Sequence, residues 1–111
     1  MRYLLIICHD ESFAPAETLF GEIGAWIGEM VDRGIHIDGQ PLRPPGDAMT
    51  VRVREGSVQV TKGPFADSRE KMCAYHLLEC GSLEEAVDAA SRHPMAKVAT
   101  IEVRPVWADI G

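Results

Sequence analysis

Leu4-Leu5-Ile6-Ile7 constrains the fold more than any other stretch of this chain. These four consecutive aliphatic residues lie in a segment running from about Arg2 to Cys8 and closed by His9-Asp10-Glu11. Successive side chains of a strand point to opposite sides, so the segment reads as a strand that is apolar on both faces and needs cover on each. Cover for one face can come from within the chain. Leu19, Ile23, Trp26, Ile27 and Met30 recur at helical spacing, and a second apolar stripe follows at Leu83, Ala86, Val87 and Ala90. With both helices on one side of a sheet, the other side is left for a second subunit, most commonly in an isologous pair. A homodimer is therefore expected.

The punctuation of the chain fills in the rest. Ser12 to Pro15 offers a turn and a helix start, and Gly34 ends the first helix. After a short alternating segment at Ile35-His36-Ile37, Gly39, Pro41, Pro44 and Pro45 predict a break in regular structure. Val51 and Val53, then Val58 and Val60, alternate with polar residues around Glu55-Gly56, the pattern of a hairpin. A loop from about Lys62 to Lys71 leads to a strand near Cys73 to Glu79. Ser82-Leu83-Glu84-Glu85 is a capping box that opens the second helix, which stops near His93-Pro94. A last strand spans Thr100 to Val106. Strand, helix, strand, hairpin, strand, helix, strand predicts an α+β ferredoxin-like plait, an antiparallel sheet with both helices on one face, in a single domain over residues 1–111.

Composition excludes several functions. The net charge is −6, and the densest basic group (Arg52, Arg54, Lys62, Arg69, Lys71) is interleaved with acids, so the basic footprint of nucleic-acid binding is missing. The N-terminal apolar run is too short for a signal peptide, and nothing approaches the roughly 20 apolar residues of a membrane span. Three cysteines without a C-x-x-C pair argue against a disulfide framework or structural zinc and fit a reducing cytoplasm. His9, His36, Asp38 and His76 have no helical i, i+4 pairing among them, so no metal site is expected, nor any cofactor.

The segment Val60-Thr61-Lys62-Gly63-Pro64-Phe65-Ala66-Asp67 resembles the signature of the YCII-related family, DGPF subgroup. Arg2-Tyr3-Leu4-Leu5-Ile6, Gly39-Gln40-Pro41-Leu42, Ala74-Tyr75-His76-Leu77-Leu78 and Ile101-Glu102-Val103-Arg104-Pro105-Val106 agree with that family in order and spacing. Lys62, Asp67 and Gln40 depart from its usual aspartate, glutamate and glutamate. The resemblance implies a ferredoxin-like subunit of a dimeric α/β barrel, in a family whose members mostly lack an established activity. Related proteins carry a histidine–aspartate pair proposed as catalytic, with the histidine at the first helix. This chain has no histidine between Glu11 and Ile35, so that chemistry does not carry over.

Candidate site residues follow from chemistry and place. His9 with Asp10 reads either as a general base beside a carboxylate or as a polar turn closing a strand. Phe65 and Asp67 sit in the distinctive Gly-Pro loop, with Phe65 either walling a pocket or plugging the core or the dimer seam. Tyr75 and Arg104, on interior strands, either bind a small anionic or carbonyl-bearing ligand from the uncovered face or support the dimer through a salt bridge of Arg104 with Glu102 or with the partner subunit. Three functional classes stay open: a dimeric small-molecule-binding protein with weak lyase or isomerase chemistry, a regulatory interaction module of the kind linked to sigma-factor signalling, and a cofactor-independent monooxygenase or isomerase.

Overall fold

The computed structural model describes residues 1–107. Four strands form one antiparallel sheet: β1 (Arg2–His9), β2 (His36–Pro41), β5 (Lys71–Glu79) and β6 (Thr100–Pro105), in the spatial order β2-β5-β1-β6. The aliphatic strand β1 thus lies inside the sheet, paired with β5 on one side and β6 on the other. Helices α1 (Leu19–Asp32) and α2 (Leu83–Ser91) link the strands in the ferredoxin-like order, and the hairpin β3 (Met49–Arg54)–β4 (Ser57–Lys62) is inserted between β2 and β5. Among the described residues, no helix is long and apolar enough to cross a membrane.

Alternation along β1 sorts the two faces. Tyr3 and Leu5 are buried beneath the helices together with Trp26, Met30, Leu78, Ala86 and Ala89, and Ile7 is buried in a second cluster with Leu19 and Met95. Leu4 and Ile6 face the other way and are only half-buried. Cross-strand partners continue that open face: Leu4 lies opposite Leu77 and Arg104, and Ile6 opposite Tyr75 and Glu102. The small residues of α2 let it sit close on the sheet. Ser82 opens the helix by accepting the Glu85 N–H at 3.1 Å, while the Glu85 carboxylate accepts the Gly81 N–H at 3.2 Å. The capping box therefore forms, with its return bond shifted one residue toward the N-terminus.

Two departures from the sequence pattern have local causes. Helix α1 begins at Leu19, not within Ser12–Pro15, because the Asp10 carboxylate accepts both the Ser12 N–H and the Ser12 hydroxyl and folds that stretch into a turn. Gly39 does not break β2, which ends at Pro41, and the expected break follows at Leu42–Pro44. At Gly39 the missing side chain permits pairing, since a Cβ there would overlap His76 Nδ1 and lie 2.9 Å from the Tyr75 carbonyl oxygen. The hairpin forms as expected. Glu55 (φ +53°) and Gly56 (φ +79°) make its two-residue turn, both left-handed as a type I′ turn demands.

Candidate functional site

Between the sheet and α1 lies an apolar cavity of about 290 Å³, walled by Ile7, Phe13, Ile23, Leu42, Cys73 and Ala74 among others. Its volume sits at the lower end of the range for small-molecule sites, ~300–1,000 Å³. Three imidazoles also line it: His9, from the end of β1, and the buried His76 and His93.

His9 is half-buried, stacked on Phe13 with ring centroids 4.4 Å apart. Its Nδ1–H donates to the Asp10 carbonyl oxygen at 2.9 Å, which fixes the neutral tautomer and leaves Nε2 as a bare acceptor. Among the described residues Nε2 has no hydrogen-bond partner. Asp10 does not join it through its carboxylate, which turns to Ser12 and to Arg69 Nε at 3.2 Å. The Ser12 hydrogen bonds, helped by Arg69, hold that carboxyl below the ordinary aspartate range, so Asp10 stays ionised as the anchor of the turn. His9 and Asp10 are neighbours that do not act as a dyad here.

The other three histidines form a line. His36 Nε2 lies 3.0 Å from His76 Nδ1, and His76 Nε2 lies 3.2 Å from His93 Nε2. At the far end His93 Nδ1 accepts the Met95 N–H at 3.0 Å, which caps the 3₁₀ turn Pro94–Lys97. Trp26 packs against all three rings, and its own N–H is bound to the Ala89 carbonyl at 2.9 Å. Burial pushes His76 down to about 4, with His93 and His36 adding to the effect, and burial alone pushes His93 down to about 4. His36 is lowered as well, by burial opposed by Asp38. All three are neutral at pH 7. Their nitrogens bond to one another in sequence and do not converge on a common point, so the arrangement is a hydrogen-bonded chain rather than a ligand set.

The remaining sequence candidates lie elsewhere. Tyr75 is on the open face, where its hydroxyl donates to Asp38 Oδ2 at 3.2 Å, and partial desolvation with that carboxylate pushes the phenol upward. Arg104 is on the same face, two strands away from Tyr75 in the sheet order, and pairs with Glu102. Phe65 is 77% exposed, so within one protomer it neither plugs the core nor walls the cavity. Asp67 is exposed nearby and flanks a shallow polar depression with Ser12 and Arg69. His9 is thus on the helix side of the sheet, Tyr75 and Arg104 on the other, and the three do not gather within the chain. Cys8, Cys73 and Cys80 are free thiols with raised pKa, Cys80 to about 11, mainly by burial and then by Glu85. Such thiols make poor nucleophiles.

The sequence matches the YCII-related domain over residues 1–108. The chain belongs to the YCII-related family. An uncharacterised protein of Rhizobium meliloti (strain 1021) is 32% identical over 114 residues, covering 96% of this chain and 92% of the relative. In this YCII-related chain the conspicuous 60–67 segment has an architectural part: Gly63 (φ +94°) turns the chain out of β4, its N–H bound to the Ala48 carbonyl at 2.6 Å and its own carbonyl accepting the Thr50 hydroxyl at 2.7 Å. Sequence reasoning missed the histidine chain. His93-Pro94 at a helix end was a visible signal, but the pairing of His36 with His76 depends on a strand register that spacing alone does not set.

Proposed function

We propose that this YCII-related protein is a homodimer that binds a small molecule in the cavity beneath α1. The observation that carries this reading is His9, whose Nδ1 is held by a backbone carbonyl and whose Nε2 has no partner among the described residues, at the wall of an apolar pocket. An apolar ligand body would fill the cavity, and a hydroxyl, an N–H or a C–H made acidic by an adjacent carbonyl would meet Nε2. In the last case His9 is the general base of weak lyase or isomerase chemistry. Support for the dimer comes from the open face, where Leu4, Ile6 and Leu77 form a half-buried apolar stripe edged by Asp38, Glu102 and Arg104. Pairing two such faces would give the dimeric α/β barrel and bring Tyr75 and Arg104 to the seam.

A second reading, an interaction module, rests on a different observation. The hairpin turns Val51, Val53, Val58 and Val60 to solvent, each between 55% and 67% exposed, and Phe65 stands exposed beyond it. A two-stranded hairpin of that kind is marginal without cover. A crystal structure of protein purified from lysate, with nothing added, separates the readings. A molecule in the cavity within hydrogen-bonding distance of His9 supports binding. A cavity closed by Phe13 and Phe20, with the hairpin valines left bare by the homodimer, supports the module instead.

A further inference from the structure

We infer that His36, His76 and His93 form an acid-sensitive clasp that holds the edge strand β2 on β5. Proton counting leads there. His93 Nδ1 must be bare to accept the Met95 N–H, so neutral His93 carries its proton on Nε2 and donates to His76 Nε2. His76 then carries its proton on Nδ1 and donates to His36 Nε2, which leaves the His36 proton on Nδ1. Every link is made with three ring protons and only one set of tautomers. A fourth proton cannot be placed without loss. On His36 it sets Nε2–H against His76 Nδ1–H; shifting the tautomers moves that conflict to the His76–His93 link, and shifting them again moves it to the Met95 N–H.

The link that gives way is the outermost. His76 and His93 are 4% and 1% exposed, whereas His36 is half-buried on an edge strand, so only His36 can swing its charged ring into water. The charged group acting on the chain is Asp38, two residues along β2, which favours the proton on His36 and His76. From α1 the rings meet the indole of Trp26, and from the 3₁₀ turn they meet the Met95 N–H. Glu29 and Asp32 of α1 and Asp88 of α2 are exposed, with Glu29 and Asp88 both shared by Arg92. Released from His76, β2 keeps its backbone pairing with β5 but loses the side-chain tie beside Gly39, the one position where no Cβ separates the strand from the ring. The residues after it, Gln40 to Leu42, line the cavity, so the wall loosens with the strand whether or not a ligand is present.

The test is long-range ¹H–¹⁵N NMR of the histidine rings in the full chain from pH 7.5 to 4.5, with amide protection factors measured alongside. At pH 7.5 the expected protons are on His93 Nε2, His76 Nδ1 and His36 Nδ1. On acidification His36 charges first, and the β2–β5 amides, Leu42 N–H to the Cys73 carbonyl among them, lose at least tenfold protection through an opening insensitive to urea, while the β1–β6 amides exchange only through urea-sensitive global unfolding. In His36→Gln this urea-insensitive opening no longer depends on pH over the same range. A proton on His93 Nδ1 at pH 7.5 overturns the inference. So does β2 protection that holds while His36 charges, or that falls only through the urea-sensitive unfolding it shares with β1 and β6.

Discussion

His76 shows how much one side chain can hold. Both of its nitrogens are committed, its ring lies under Trp26, and it fills the space that a side chain on Gly39 would need. Gly39→Ala therefore cannot be absorbed locally, because one neighbour is backbone and the other is a ring fixed at both ends. We expect a loss of ~2 kcal/mol in urea unfolding, within the usual overpacking range, with the His36–His76 link broken in NMR. Unchanged stability with the link intact would show that β2 moves more freely than its packing implies. The same rings set the acid response. His76 and His93 titrate near 6.5 when unfolded and near 4 when folded, so as pH falls the unfolded chain takes up protons first. Their contribution is complete above about pH 6.5, declines through the interval down to about 4, and amounts to ~2 kcal/mol per ring already lost at pH 5. Urea midpoints measured from pH 7 to 5 should fall steadily. A flat profile there would mean that the rings titrate alike folded and unfolded.

At the scale of elements, what was legible in the sequence was whatever the chain specifies locally. The 3.6-residue spacing of Leu19, Ile23, Trp26 and Met30 placed α1, Glu55-Gly56 placed the hairpin turn, and Ser82 with Glu85 placed the start of α2. Ser82→Ala should accordingly cost about 1 kcal/mol, seen as a lowered urea midpoint with an unchanged slope, while Glu84→Ala, one position away and without a capping bond, should be close to neutral. Equal effects from the two would deny the cap its role. Non-local features were hidden. Nothing near Gly39 in sequence announces that His76 will lie against it, so the glycine read as the start of a break where the structure still has a strand. Likewise the start of α1 depended on the Asp10 carboxylate, whose hydrogen bonds to Ser12 fit its reading as a polar turn closing the strand. Of the site candidates, His9 was legible as a histidine ending an interior strand, whereas its Nδ1 contact to a backbone carbonyl, and not to the neighbouring acid, was not.

For the whole molecule, the strand that is apolar on both faces makes the strongest demand. One face of β1 is buried under two helices; on the other, Leu4 and Ile6 are only half-covered, and the hairpin exposes a row of valines besides. Sedimentation of Ile6→Glu should show monomers at concentrations where the wild type is dimeric, with dimerisation weakened at least tenfold. Val60→Lys, made in parallel, tells whether the hairpin belongs to the same interface. A wild-type chain that sediments as a monomer at all accessible concentrations would remove the proposed barrel.

The central claim is that the cavity beside His9 takes a ligand. The most direct measurement is a fragment screen followed by amide and ring shifts in the ¹⁵N-labelled protein, run against an Ala74→Phe variant whose new ring fills the cavity. The account predicts that fragments with an apolar body and one hydrogen-bond donor shift His9, Ile23, Leu42 and Ala74 together, move the His9 Nε2 resonance, and leave Ala74→Phe undisturbed. Fragments that shift other surfaces only, or that bind Ala74→Phe as well as wild type, would contradict it.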